Sequence, residues 1–224
     1  VCTMTILMVT TSASALDAEH PTGLWLEEFA VPYNLLRAAN FDITVASPQG
    51  GRVPLDPKTN PDAQQKLDWA AALAALEHTL PLAQVQASDY VAVFLPGGHG
   101  PMIDLVHDVH LNRLLRGFDQ ALKPIAAVCH GPAALLNVTG FDGRPLLAGR
   151  KATGFTNLEE KMALLADVVP FLLQDEMQAR GADYQSALLP YVSHVVQDGH
   201  LLTGQNPASS EALARLLIRV LQPA

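Results

Sequence analysis

A chain of 224 residues, 49% hydrophobic and 16% charged, is long enough to bury one sizeable core without needing a second, so residues 1–224 are read as a single domain. The formal charge of −8, with no Lys/Arg run or basic aromatic strip against it, argues against a nucleic-acid partner. The two cysteines, Cys2 and Cys129, make no disulfide framework and no CxxC pair, which fits a reducing cytoplasm.

Thr5–Val9 reads as a buried first strand. Met4–Val9 lacks a basic flank and is too short for a signal core. No stretch reaches about 18 uninterrupted apolar residues, so no membrane span is expected. A Thr/Ser-rich loop, Thr10–Pro21, follows. Gly23–Asn40 has helical apolar spacing interrupted by Pro32, which should kink the helix or confine its regular part to the second half. Phe41–Ser47 alternates as a second strand. The Gly/Pro-rich Pro48–Pro61 is expected as an edge excursion or a lid, and Ala63–Leu80 as a helix ended by Pro81. Tyr90–Leu95 is a third, fully apolar strand that runs into Pro96-Gly97-Gly98-His99-Gly100, where no regular element fits.

Val109–Leu122 is expected as an amphipathic crossover helix and Pro124–Cys129 as a fourth strand that enters a helix-like Ala/Leu segment. Phe141–Arg150 reads as a β excursion turning at Asp142-Gly143. Lys151–Glu160 reads as a short strand followed by a helix start at Thr156 or Asn157. Val169–Gly181 should be a helix stopped by its glycine, and Val192–Gln197 with His200–Thr203 a hairpin through Asp198-Gly199. Pro207–Leu221 closes the chain as a helix with Pro in its first turn. Strands alternating with helices imply βαβ units with right-handed crossovers and a mostly parallel sheet, with a site at the strands' C-terminal ends.

The chemistry concentrates at Ala127-Val128-Cys129-His130-Gly131. Small residues flank a nucleophile where a strand ends, the pattern of a nucleophile elbow. Three features favour a reactive thiolate: a turn that exposes sulfur, a helix N-terminus and an adjacent imidazole. The competing reading is a buried core cysteine. His130 is the candidate base, Glu160 is one of several carboxylates able to orient it, and the Gly97-Gly98 and His130 N–H groups are candidates for holding an oxyanion. GGHG lacks the lysine and the spacing of a phosphate loop. His20, His99, His107, His110 and His130 form no compact metal-ligand set in sequence, and Glu27-Glu28 reads by default as a charged helix face.

Four ordered motifs, PGGHG at Pro96–Gly100, AVCHGPAALL at Ala127–Leu136, TGFTNLEE at Thr153–Glu160 and DGHLLTGQNPASS at Asp198–Ser210, resemble the ThiJ/PfpI superfamily. More narrowly they resemble its branch of heat-shock chaperones and glutathione-independent glyoxalase III enzymes. The resemblance implies a flavodoxin-like α/β/α sandwich with class I glutamine-amidotransferase-like topology, assembled as a homodimer. It places the nucleophile at Cys129 and its histidine at His130. The third member falls at Glu160, with Glu159 as the one-residue-slip alternative, and a buried Glu contacting the sulfur falls at Glu28 rather than Glu27. A protonated Glu28 would then hydrogen-bond the thiolate and lower its pKa. Gly98 and His130 are expected to form the oxyanion hole, with no metal and no cofactor.

The function implied is conversion of methylglyoxal or a related 2-oxoaldehyde, a small carbonyl substrate, to a 2-hydroxy acid by a Cys-dependent lyase. Two other functions fit the same resemblance. One is a stress-related holdase chaperone using an apolar surface near Phe171, Leu172 and Leu173, with a redox-sensitive Cys129. The other is a Cys-dependent hydrolase or amidase.

Overall fold

The computed structural model describes residues 4–223; Cys2 lies outside them. The strands and helices are, in chain order, β1 (Thr5–Val9), α1 (Leu26–Ala38), β2 (Asp42–Ser47), α2 (Ala63–Asp68), α3 (Ala70–Ala75), β3 (Leu80–Pro81), β4 (Ala92–Leu95), α4 (Val109–Gln120), β5 (Ile125–Val128), β6 (Lys151–Ala152), α5 (Asn157–Met162), α6 (Leu173–Ala179), β7 (Asp183–Tyr184), β8 (Val195–Asp198), β9 (Leu201–Gly204) and α7 (Ser210–Leu221). Seven strands form one sheet in the order β3-β2-β1-β4-β5-β9-β8, and β6 pairs with β7 separately. All pairings in the main sheet are parallel except the β8–β9 hairpin. Every residue of β4 and β5 is buried, as a parallel strand covered on both faces requires. The order β2-β1-β4-β5-β9 is that of a flavodoxin-like sandwich. Its chain direction across the sheet reverses between β1 and β4, the place where such folds bind ligands.

Several elements depart from the periodicity. Pro32 lies inside α1 without splitting it; the ring is buried, and what is lost is the main-chain bond residue 32 would donate to the Glu28 carbonyl. The helix expected over 63–80 breaks at Trp69 (φ −108°, ψ 18°) and is over by Leu76. Leu80-Pro81 instead joins the sheet edge beside Ala46-Ser47, the position where a strand proline is tolerated. Phe141–Arg150 contains only an isolated Thr139–Pro145 bridge. The helix that Gly181 stops (φ +87°) begins at Leu173, not Val169.

The largest correction concerns the elbow. The Ala/Leu segment after Cys129 is a 3-10 turn, Gly131–Leu135, rather than an α-helix. The strand-to-turn geometry stands, but a long helix dipole aimed at the sulfur does not.

Candidate active site

Cys129 ends β5 with φ +61°, a left-handed conformation uncommon outside glycine. Its N–H donates to the Gly204 carbonyl at 2.9 Å and its carbonyl accepts from Phe155 N–H at 3.0 Å, so the surrounding strands hold the strained backbone in place. Gly131 has no room for a Cβ, which would strike the Leu95 carbonyl. The expected exposure of the sulfur is not found, since Cys129 is only 4% exposed. It forms part of the wall of a small, mostly apolar cavity of about 80 Å³, shared with Trp25, Gly98, His99, Phe155 and Tyr191. The 48–61 loop bridges the chain beside the sheet edge at Gly51–Thr79 and brings Asp56 and Lys58 to the same cavity. A larger surface groove of about 370 Å³ along Arg113 and Arg116 contains none of these groups.

His130 is fully buried, with Nδ1 3.6 Å from Cys129 Sγ and Nε2 2.6 Å from Glu160 Oε2. The Glu159 alternative is excluded geometrically. Glu159 is engaged in the capping box with Thr156 and accepts from Tyr191 N–H, Gln205 and Asn206, all within 3.0 Å, so it pins the 185–206 segment to α5. One residue further along the helix, Glu160 points the other way. Burial alone would raise its pKa, but the charge and hydrogen bond of His130, with those of His99, hold the carboxyl well below the usual range.

Glu28 is 0% exposed while Glu27 faces solvent, so the buried member of the pair is the one the resemblance selects. Its Oε2 accepts the Gly97 N–H at 2.6 Å, and its Oε1 is buried without a hydrogen-bond partner among the described residues. Gly97 must be glycine, since a Cβ there would lie 2.7 Å from Glu28 Oε2 and 2.8 Å from His130 N. Burial pushes Glu28 up to about 8, against the pull of Cys129 and the Gly97 N–H. At neutral pH the carboxyl keeps its proton.

The thiol does not behave as the sequence suggested. Burial, and then the charges of Glu28, Glu160 and Glu159, push Cys129 up rather than down. Burial and the neighbouring His99 hold His130 low, so it is a neutral imidazole. With Nε2–H donated to the Glu160 carboxylate, His130 presents its Nδ1 lone pair to the S–H.

His99 was not among the expected catalytic residues. It is 7% exposed, its Nε2 lies 2.6 Å from Glu160 Oε1, and its ring sits 4.1 Å from that of His130, centroid to centroid. The available signal was a histidine in the Gly-rich exit of the strand next to the nucleophile strand. His99, His130 and Glu160 also offer ligand atoms within 4.8 Å of one another, a compact set that the sequence spacing did not reveal. They are joined to each other by hydrogen bonds, and a divalent ion would have to replace those bonds. Gly98 (φ +89°) lines the cavity, and neither its N–H nor that of His130 donates to a protein acceptor among the described residues. The apolar surface expected at 171–173 is not exposed: Leu173 is buried and Phe171 and Leu172 are half-buried, while exposed apolar side chains elsewhere include Leu158, Met162, Leu164, Leu188 and Leu189.

A flavodoxin-like sheet with a strained cysteine beside a His–Glu pair at the C-terminal strand ends defines an α/β protein of the nucleophile-elbow class. Residues 22–220 match the DJ-1/PfpI family, and the chain belongs to it. It is 28% identical to the glutathione-independent glyoxalase hsp3101 of Schizosaccharomyces pombe over 90% of this chain and 88% of that protein. The crystal structure of glyoxalase III from Candida albicans superposes with a TM-score of 0.88 at 25% identity, covering 96% of each chain. The Rapid Encystment Protein 24 kDa of Francisella tularensis gives 0.91 at 33% identity, covering 98% of this chain and 99% of the other. Among the described residues no helix is long and apolar enough to cross a membrane.

Proposed function

We propose that the protein is a glutathione-independent glyoxalase that converts methylglyoxal, or a 2-oxoaldehyde of similar size, to the 2-hydroxy acid. The observation that carries this reading is the sulfur of a strained Cys129 facing a cavity of about 80 Å³, with neutral His130 on one side and neutral Glu28 on the other. A small apolar chamber suits a three-carbon dicarbonyl better than a peptide. The similarity to proteins named as glyoxalases supports the same choice.

Cys129 Sγ adds to the aldehyde carbon, C1, while the thiol proton passes to His130 Nδ1 and from there to the former aldehyde oxygen, O1. The imidazolium formed in between is stabilised by the Glu160 carboxylate. Because burial raises the thiol's pKa, this proton leaves as the S–C bond forms rather than beforehand. Neutral His130 next takes the C1 hydrogen, the protonated Glu28 carboxyl gives its proton to C2, and the imidazolium then returns a proton to Glu28. The enediolate between these steps is held by the Gly98 and His130 N–H groups. The product is a thioester of the 2-hydroxy acid, and water attack on it releases the acid and regenerates the thiol.

The decisive test is Cys129→Ala, assayed for lactate formation from methylglyoxal. Turnover is expected to be lost with the fold intact, and wild-type turnover would overturn the mechanism. The exposed Leu158, Met162, Leu164, Leu188 and Leu189 favour a second reading, a holdase chaperone. Suppression of aggregation that survives in the same variant would assign that activity to the surface rather than to the thiol.

A further inference from the structure

Isomerising the hemithioacetal moves two protons, not one. The hydrogen on C1 goes to C2, and the hydroxyl proton on O1 must go to O2, so that CH3–CO–CH(OH)–S becomes CH3–CH(OH)–CO–S. His130 and Glu28 serve the carbon-bound hydrogen and leave the oxygen-bound one without a carrier. We infer that His99 is that carrier: its Nδ1 accepts the O1 proton as C1 becomes the thioester carbonyl and delivers it to O2, leaving His99 as it began. The inference rests on the glyoxalase reading above.

The geometry supports it in three ways. Glu160 receives His99 Nε2 on one oxygen and His130 Nε2 on the other, both at 2.6 Å, so a single carboxylate sets the tautomer of both rings. Each ring is left with an Nδ1 lone pair. That of His130 faces the sulfur at 3.6 Å, whereas that of His99 has no partner among the described residues, and His99 lines the cavity. One imidazole therefore serves the nucleophile and the other faces the substrate. Finally, the rings lie 4.1 Å apart, so a positive charge on one opposes a positive charge on the other and the two proton transfers occur in turn rather than together.

The test compares wild type, Cys129→Ala, His99→Gln and His99→Asn. For both His99 variants kcat for methylglyoxal should fall by about 10²-fold with KM nearly unchanged. The hemithioacetal on Cys129 should accumulate to detection by mass spectrometry, and alkylation of Cys129 by iodoacetamide should proceed at the wild-type rate. Unchanged kcat overturns the inference. So does a loss of kcat matched by an equal loss of alkylation rate, because His99 would then act only by supporting His130 and Glu160. On the wild-type protein, histidine nitrogen NMR should find His99 protonated at Nε2 and not at Nδ1; the opposite tautomer overturns the inference even if both variants fail to fold. Wild type that makes no lactate from methylglyoxal refutes the glyoxalase reading itself, a result distinct from any of these.

Discussion

The two ends of the central sheet each bury a carboxylate between two basic side chains, and only one of these carboxylates lies beside a cysteine. At the N-terminal ends of β5 and β9, Asp119 is fully buried and accepts from Arg150 Nη2 and His200 Nε2 at 2.7 Å and from Phe141 N–H at 3.0 Å. At the C-terminal ends, Glu160 holds His99 and His130 at 2.6 Å. Burial and pairing are alike, and in both places the partners outweigh desolvation to keep the acid ionised. The difference lies in what the bases have left over. A guanidinium has only donors and keeps its proton, so the Arg150–Asp119 pair can lock but not relay, and the one imidazole there, His200, sits beside Ile125 at the end of β5 opposite Cys129. Each imidazole on Glu160 keeps an unprotonated nitrogen, one toward Cys129 and one toward the cavity. A buried ion pair is thus weak evidence for a site, and an ion pair with a spare lone pair beside a nucleophile is strong evidence.

The contrast is sharpened most by Glu160→Gln. The amide keeps the shape but removes the charge that orients and stabilises the imidazolium, and turnover should fall by about 10³- to 10⁴-fold with a folded protein by circular dichroism. A smaller loss than that of His99→Gln would break the proposed hierarchy, in which one carboxylate serves both rings. The counterpart, Asp119→Ala, leaves Arg150 partly buried without its anion. It should cost about 3–5 kcal/mol of stability in urea unfolding, with turnover per folded molecule unchanged. Lost turnover in a protein of normal stability would show that the far end communicates with the site and that the comparison is mistaken.

Much of this was legible in the sequence for physical reasons. The elbow could be read because small residues must flank a nucleophile where the backbone turns tightly. The β8–β9 hairpin could be read because Asp-Gly at 198–199 supplies the positive φ its turn requires. Glu28 could be chosen over Glu27 only through the resemblance, since both sit in the first turn of α1 and pattern alone treats them alike. His99 stayed hidden because its partner lies 61 residues away, and no local periodicity encodes a contact between a loop and a helix that meet over the sheet. The β3 strand escaped for a similar reason. Leu80-Pro81 is strand only because Ala46-Ser47 lies beside it.

Among the residues lining the site, Glu28 shares with His99 the smallest expected loss of turnover, and it also provides a pH test opposite in sign to Glu160's. Glu28→Gln should lower turnover by about 10²-fold, less than Glu160→Gln, because the amide oxygen can still accept the Gly97 N–H and only the proton transfer is lost. Glu28 titrates near 8 in the folded protein against a reference of 4.5, so between those values the native state holds a proton that the unfolded chain has released. Stability must then fall as pH rises through that window, by up to about 1.4 kcal/mol per pH unit. Glu160, held below its reference of 4.5, does the reverse. Its stabilisation is complete above that value and is lost only as the solution becomes more acidic, so the two windows do not overlap. Urea unfolding at about pH 5 and about pH 8 should therefore show wild type losing more stability than Glu28→Gln over this interval. Parallel pH dependences in the two proteins would mean that Glu28 is ionised in the native state. It would then have no proton to give to C2, and His130 alone would both take the C1 hydrogen and return it.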